Sequence, residues 1–314
     1  KEKIKKDFIF FDDIDKNKLK KLKQKNDFKK ILFIVISKSG RTIETLSNSF
    51  ALKIIKKDAK NIIIISEKKD NSLYLLSQKM RIHHIEHRKS IGGRYSVLSE
   101  VGAVPAYLMG VNILKFRKNL QHHYKNQKNK FLKESSIKLA NLLKKNKFKN
   151  LIFFNYIPEF DMFLYWLQQL IAESLGKNGK GFLPTISNAP KDHHSLLQLY
   201  LDGPKNKLFY IFSHEESSKE KINIKEILKE KNFLNNKTLS SIKKAQKNAL
   251  IKTLKNKNIP FREFKIKNIN EEVLGELFSY FILETVIIGK LTNINPFDQP
   301  AVEQVKIYTK DLLN

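Results

Sequence analysis

A carboxylate, a cluster of glycines and two histidines share one stretch of the chain, residues 171–203, IAESLGKNGKGFLPTISNAPKDHHSLLQLYLDG. Upstream of it, Phe163, Leu164, Leu167, Leu170 and Ile171 recur at three- and four-residue intervals, so a helix with one apolar face leads into Glu173 and stops at Gly176. A carboxylate in that last turn meets the negative end of the helix dipole, and burial beside Trp166 and Leu170 would raise its pKa further, both of which make a stronger base. Downstream, the pattern of Leu196, Leu197, Tyr200 and Leu201 predicts a short helix capped by Asp192 and ended at Asp202-Gly203-Pro204. His194 would then lie in the first turn, where the dipole disfavours imidazolium and leaves a neutral ring able to give or take a proton. Taken alone, such a stretch is more often a solvated helix-end Glu with a pair of capping or surface histidines than a catalytic site.

Two further places offer anion chemistry. The run Ser37-Lys38-Ser39-Gly40-Arg41-Thr42 separates an apolar stretch of strand length from a helical pattern carrying Ile43, Leu46, Phe50, Ile54 and Ile55. Strand, hydroxyl-rich turn and helix together form a plausible anion cradle, because a helix start offers unpaired N–H groups and the hydroxyls donate more. Neither nucleotide-loop pattern is present, so a sugar phosphate fits better than a nucleotide, and a simple capped helix remains the alternative. The second place is Arg94, which follows Gly92-Gly93 at the start of a helical pattern through Tyr95, Leu98 and Val101. Planar hydrogen bonding to an oxyanion or a structural ion pair would both suit it.

The elements that position these groups alternate. Residues 8–11 read as a short buried strand, a lysine-rich helix follows around 19–23, and strands are expected at 31–36, 61–65 and 81–85 with a helix at 72–80 between the last two. After a Lys-, Asn- and Gln-rich stretch containing one amphipathic helix, 131–143, strands are expected at 151–156, 208–212 and 261–266, and helices at 240–254 and 272–288. A last helix follows, with Gln299, Glu303 and Lys306 at roughly helical spacing. The pattern predicts a domain at 1–115, a helical connection at 116–150 and a second domain at 151–314, all of α/β class with mainly parallel sheets.

Composition narrows the function classes. The chain has 314 residues, no cysteine and a formal charge of +29. Disulfides and thiolate metal sites are therefore excluded, which fits a cytoplasmic protein. Only six of the sixty basic residues are Arg, and the lysines are spread along the chain. Dispersed, solvated lysines of this kind do not make a dedicated nucleic-acid face, although they draw in small phosphorylated anions. No apolar run reaches membrane-span length.

Taken together and in order, SKSGRTIET, GGRYSVLSEVG, ESLGKNGKG, KDHHSLLQLYLDG and NPFDQPAVEQVK resemble the glucose-6-phosphate isomerase family over most of the chain. The resemblance implies two sugar-isomerase (SIS) domains with a C-terminal helix, a homodimer that shares its active sites, and no metal or organic cofactor. It implies interconversion of glucose 6-phosphate and fructose 6-phosphate in glycolysis and gluconeogenesis, by ring opening and proton transfer through a cis-enediolate. Residue by residue it places the base on Glu173, the arginine that steadies the enediolate on Arg94 and the ring-opening pair on His194 and Lys306. Phosphate contacts fall on Ser37, Lys38 through its backbone, Ser39, Thr42 and Gln299, and Glu44 matches the carboxylate that orients the histidine. His193 matches nothing catalytic.

The sequence departs from the family pattern at Arg41, Ile43, Lys89 and Glu100, the last standing where a small residue is usual. The family also has an upstream strand and a Gly-Gly-Ser turn, whereas this sequence opens at Lys1 near the family's second strand. The small domain is therefore expected to lack its first strand and to expose an apolar sheet position. The alternative function is a SIS protein that binds a sugar phosphate without turning it over.

Overall fold

The computed structural model describes residues 7–25, 27–125, 129–215, 218–223 and 233–314. The chain separates into two compact units, Lys1–Leu120 and Gln121–Asn314. The expected connection at 116–150 thus contributes to both units, and three of its residues, 126–128, lie outside the described ones.

The first unit contains α1 (Lys16–Lys25), β1 (Phe33–Ile36), α2 (Ile43–Ala51), β2 (Ile62–Ser66), α3 (Ser72–Met80), β3 (His83–Glu86), α4 (Glu100–Leu108) and α5 (Ile113–Arg117). Its three strands pair in the order β1-β2-β3, all parallel, with Val35 opposite Ile64 and Ile64 opposite His84. Val35, Ile62, Ile64, Leu73 and Ile82 form the core with Leu22, Leu52 and Ile54. Residues 8–11 form no strand. Ile9 and Phe10 are exposed, since an apolar run needs an apolar partner face as well as β propensity to become a strand. The residues before Asp7, 1–6, lie outside the described residues. Helix α2 ends at Ala51, so Ile54 reaches the core from the loop beyond it rather than from the helix.

The second unit contains α6 (His122–Lys125), α7 (Lys130–Lys145), β4 (Asn150–Asn155), α8 (Asp161–Leu175), β5 (Leu183–Asn188), α9 (Leu197–Asp202), β6 (Lys207–His214), α10 (Leu239–Asn256), β7 (Phe261–Ile266), α11 (Glu271–Thr292) and α12 (Ala301–Leu313). The sheet order is β5-β4-β6-β7, again all parallel. Both faces are covered, which explains the continuous apolar runs in β4 and β6. Ile152, Phe154, Phe209 and Ile211 pack with Tyr200, Leu250 and Leu254 on one face. On the other, Phe212 stacks on Phe264 at 4.8 Å and meets Phe163 and Phe281 edge-on or tilted. Strand β5 escapes a reading of periodicity because it is an edge strand carrying Pro184 and alternating polar residues. Part of the lysine-rich stretch after β6, residues 216–217 and 224–232, lies outside the described residues.

A buried ion pair fastens β7 to α11 and α7. Arg262 Nη1 donates to Glu284 Oε1 at 2.7 Å, and the same oxygen accepts from Ser135 Oγ at 2.7 Å and from the Tyr280 hydroxyl at 2.9 Å. The guanidinium also lies over the Phe264 ring, 4.5 Å from its centroid. Among the described residues, no helix is long and apolar enough to cross a membrane.

Candidate active site

In the first unit the candidate groups gather where the parallel strands end. Ser37 follows β1 directly and is buried, and its Oγ lies 2.6 Å from Thr42 Oγ1 across a tight turn. Ser39 Oγ accepts the Arg41 N–H at 3.3 Å, so all three hydroxyls also organise the loop itself. Gly40 makes the turn possible. Its φ is +63°, and a Cβ there would stand 1.7 Å from Asn71 Oδ1. Asn71 in turn caps α3 through the Tyr74 N–H at 2.9 Å and donates to the Glu67 carbonyl at 2.9 Å. Thr42 occupies the N-cap position of α2, which leaves the helix start facing the loop, and Glu44 sits exposed in the first turn.

The Arg94 loop is tied to this one within the same unit. Lys38 Nζ donates to the Lys89 carbonyl at 3.2 Å and lies 3.7 Å from the buried Glu67 carboxylate, which Lys69 also pairs at 2.6 Å. Arg94 is 3% exposed and its guanidinium lies 5.2 Å from the centroid of the Tyr95 ring. The expected helix start at Arg94 is instead a 3-10 turn, Gly93–Leu98, and α4 begins only at Glu100 behind the Ser99 cap. Serine hydroxyls explain the break. Ser96 Oγ bonds the Gly93 carbonyl at 2.6 Å and Ser99 Oγ the Ser96 carbonyl at 2.7 Å, holding i, i+3 geometry.

In the second unit Glu173 lies in the last turn of α8, which ends at Gly176 as its sequence requires. Its carboxylate is half-buried rather than enclosed and accepts from Gln169 Nε2 at 3.0 Å. The glycine loop after it is tied to the segment before α12. Lys177 Nζ contacts Asp298 Oδ1 at 2.6 Å and also donates to the Asn295 carbonyl. Gln299 follows at once, but it precedes α12 rather than sharing a helical face with Glu303 and Lys306, because Pro300 takes the N-cap position. Lys306 is exposed, its ammonium 2.6 Å from Glu303.

The histidine segment differs from its sequence reading. Asp192 caps no helix: its carboxylate accepts from Asn188 N at 2.7 Å, Ser187 Oγ at 2.9 Å and Ser195 Oγ at 2.8 Å. Burial alone would raise its pKa, but these bonds hold it below the usual carboxylate range. His194 closes a 3-10 turn, Lys191–His193, and α9 starts only at Leu197, so no first-turn dipole acts on the ring. With both Asp192 oxygens engaged by the end of β5 and by the Ser195 hydroxyl, the carboxylate does not cap a helix start there. His194 is exposed, whereas His193 is half-buried with Nε2 2.7 Å from the Tyr156 hydroxyl. Burial pushes the phenol up and the imidazole down, so the neutral phenol donates to a neutral ring.

Glu67, Asn71, Lys177 and Asp298 were not distinguishable as site residues by type or spacing. Each acts across a gap in sequence, and only Asn71, standing just before a helical pattern, carried a local signal.

Comparison with known proteins identifies the family. The model of the phosphoglucose isomerase family matches residues 1–314. A probable glucose-6-phosphate isomerase of Methanococcus maripaludis is 33% identical over 305 residues, covering 95% of this chain and 69% of that protein. The glucose-6-phosphate isomerase of Campylobacter jejuni is 30% identical over 321 residues, covering 98% of this chain and 78% of its own. Among solved structures, a hypothetical protein from Thermus thermophilus superposes with a TM-score of 0.85 at 26% identity, covering 98% of this chain and 77% of that one. A glucose-6-phosphate isomerase from Chlamydia trachomatis gives a TM-score of 0.78 at 18% identity over 96% of this chain and 62% of its own, a likeness of fold.

Proposed function

The chain belongs to the phosphoglucose isomerase family, and on that premise we propose that it interconverts glucose 6-phosphate and fructose 6-phosphate, a step shared by glycolysis and gluconeogenesis, in the cytoplasm. The observation that carries the reading is the family match itself, which runs the whole length of the chain and through every stretch that holds a candidate group.

The roles follow from chemistry. Opening the sugar ring requires a proton to leave one oxygen and another to reach the ring oxygen, work assigned to His194 and Lys306 with Glu44 orienting the imidazole. Moving hydrogen between C2 and C1 then requires one base that takes the proton from one carbon and returns it to the other. That base is assigned to Glu173, whose half-buried position at the end of α8 is compatible with the work. The negative charge that develops on the enediolate oxygen is met by Arg94, a buried and permanently charged donor. The phosphate falls to Ser37, Ser39, Thr42, the Lys38 backbone and Gln299, where a hydroxyl-lined turn and the free N–H groups of α2 favour an anion.

The active form is a homodimer with His194 supplied across the interface. Val302, Val305, Tyr308, Leu312 and Leu313 are exposed on one side of α12, an apolar stripe of the kind that a subunit contact covers. Light scattering at working concentration is expected to give twice 36.8 kDa, and a fully active monomer would contradict it.

A coupled assay with fructose 6-phosphate tests the activity. Turnover supports the isomerase. Ligand-induced thermal stabilisation without turnover would instead indicate a protein that binds the sugar phosphate and leaves it unchanged.

A further inference from the structure

His87 and Glu100 close the two ends of the segment that carries Arg94. His87 stands immediately after β3, is 1% exposed, and its backbone N–H bonds the Ser66 carbonyl at 2.8 Å. Its Nδ1 lies 2.5 Å from Glu100 Oε1, in the first turn of α4, and its Nε2 lies 3.1 Å from the Ile91 carbonyl. Both ring nitrogens therefore face oxygen acceptors, and an N–H at Nδ1 donates to the Glu100 carboxylate. A bond to an ionised carboxylate is charge-assisted, shorter and stronger than a neutral one. The one ring thus fixes the carbonyl three residues before Arg94 and the helix start six residues after it. The same segment is wedged by Gly102, where a Cβ would stand 2.0 Å from the Val97 carbonyl oxygen.

We infer that Glu100, acting through His87, is a positioning residue for Arg94. The inference rests on the isomerase reading above. It gives the unusual Glu100 a partner: a carboxylate at this position is matched by a buried imidazole rather than left to solvent. Removing the carboxylate leaves a buried N–H without its acceptor and frees the Ile91 carbonyl contact to shift, which moves Arg94 relative to the charge it stabilises. Because that charge develops only in the transition state, the loss falls on kcat rather than KM.

The test is a double-mutant cycle on the full chain with fructose 6-phosphate. Glu100→Ala is expected to lower kcat by at least about tenfold with KM within about twofold, since small displacements of a stabilising group carry penalties of this size. Glu100→Gln, whose amide oxygen still accepts the Nδ1–H, is expected to restore most of the loss. In an Arg94→Ala background, Glu100→Ala is expected to add little. Additive losses in the cycle would overturn the inference while leaving the isomerase reading intact. A readout independent of turnover is the Arg94 Nε–H resonance, identified by its loss in Arg94→Lys. A shift in Glu100→Ala that Glu100→Gln reverses supports positioning even if no isomerisation is found, and an unmoved resonance overturns it.

Discussion

Lys177 Nζ lies 2.6 Å from Asp298 Oδ1, joining the loop that follows the Glu173 helix to the segment that carries Gln299. The ammonium is largely buried, while the carboxylate is about half exposed and its pKa is lowered by the hydrogen bond from Lys177.

The Asp298 carboxylate stays solvated when its partner is removed, so Lys177→Met is expected to fold and to melt close to the wild-type chain. Its effect on the proposed reaction is expected to be larger. With the glycine loop and the Gln299 segment unlinked, KM for fructose 6-phosphate should rise at least about threefold, a modest loss of positioning. Steady-state kinetics beside a urea melt separates the two effects, and an unchanged KM would show that the link positions nothing.

Gly40→Ala tests the hydroxyl loop. A methyl group there meets both a left-handed backbone, φ +63°, and the Asn71 side chain, so the loop and the α3 cap cannot both persist. The expected result is a loss of about 1–3 kcal/mol from strain and the displaced cap together with weaker inorganic phosphate binding. Titration of the variant with inorganic phosphate against the wild-type chain checks it, and equal affinity would remove the loop from the anion site.

Much of this arrangement was legible from the sequence. The alternation of strands and helices, α3 to the residue, β7 to the residue and the helix ending behind Glu173 all follow from periodicity and Gly or Asn punctuation. Around the site, part of what escaped comes from competition by side-chain hydrogen bonds. Asp192 reads as a helix cap, yet its carboxylate turns back to Ser187 and Asn188, and serines 96 and 99 convert an expected α-helix at Arg94 into a 3-10 turn. Glu100 looked like a bare departure from a motif because its partner, His87, lies thirteen positions earlier with nothing in the pattern to connect them.

Asp192 also makes a pH prediction. Its folded-state pKa lies below 3.8, its value in the unfolded chain, so its stabilising contribution is fully present above that value and is lost as pH falls through the lower folded one. The gap in melting temperature between the wild-type chain and Asp192→Asn is therefore expected to stay constant from neutral pH to about pH 5 and to narrow below about pH 4. Scanning calorimetry across that range checks it, and a gap that widens on acidification would reverse the sign.

The central claim is that Glu173 moves the proton. Glu173→Gln preserves size and the ability to accept from Gln169 but removes the base. Turnover of fructose 6-phosphate is expected to fall by at least about two orders of magnitude, the usual reach of general-base catalysis, while affinity for the sugar phosphate measured by calorimetry changes little. Near-normal isomerisation by Glu173→Gln would contradict the account and assign the base to another residue.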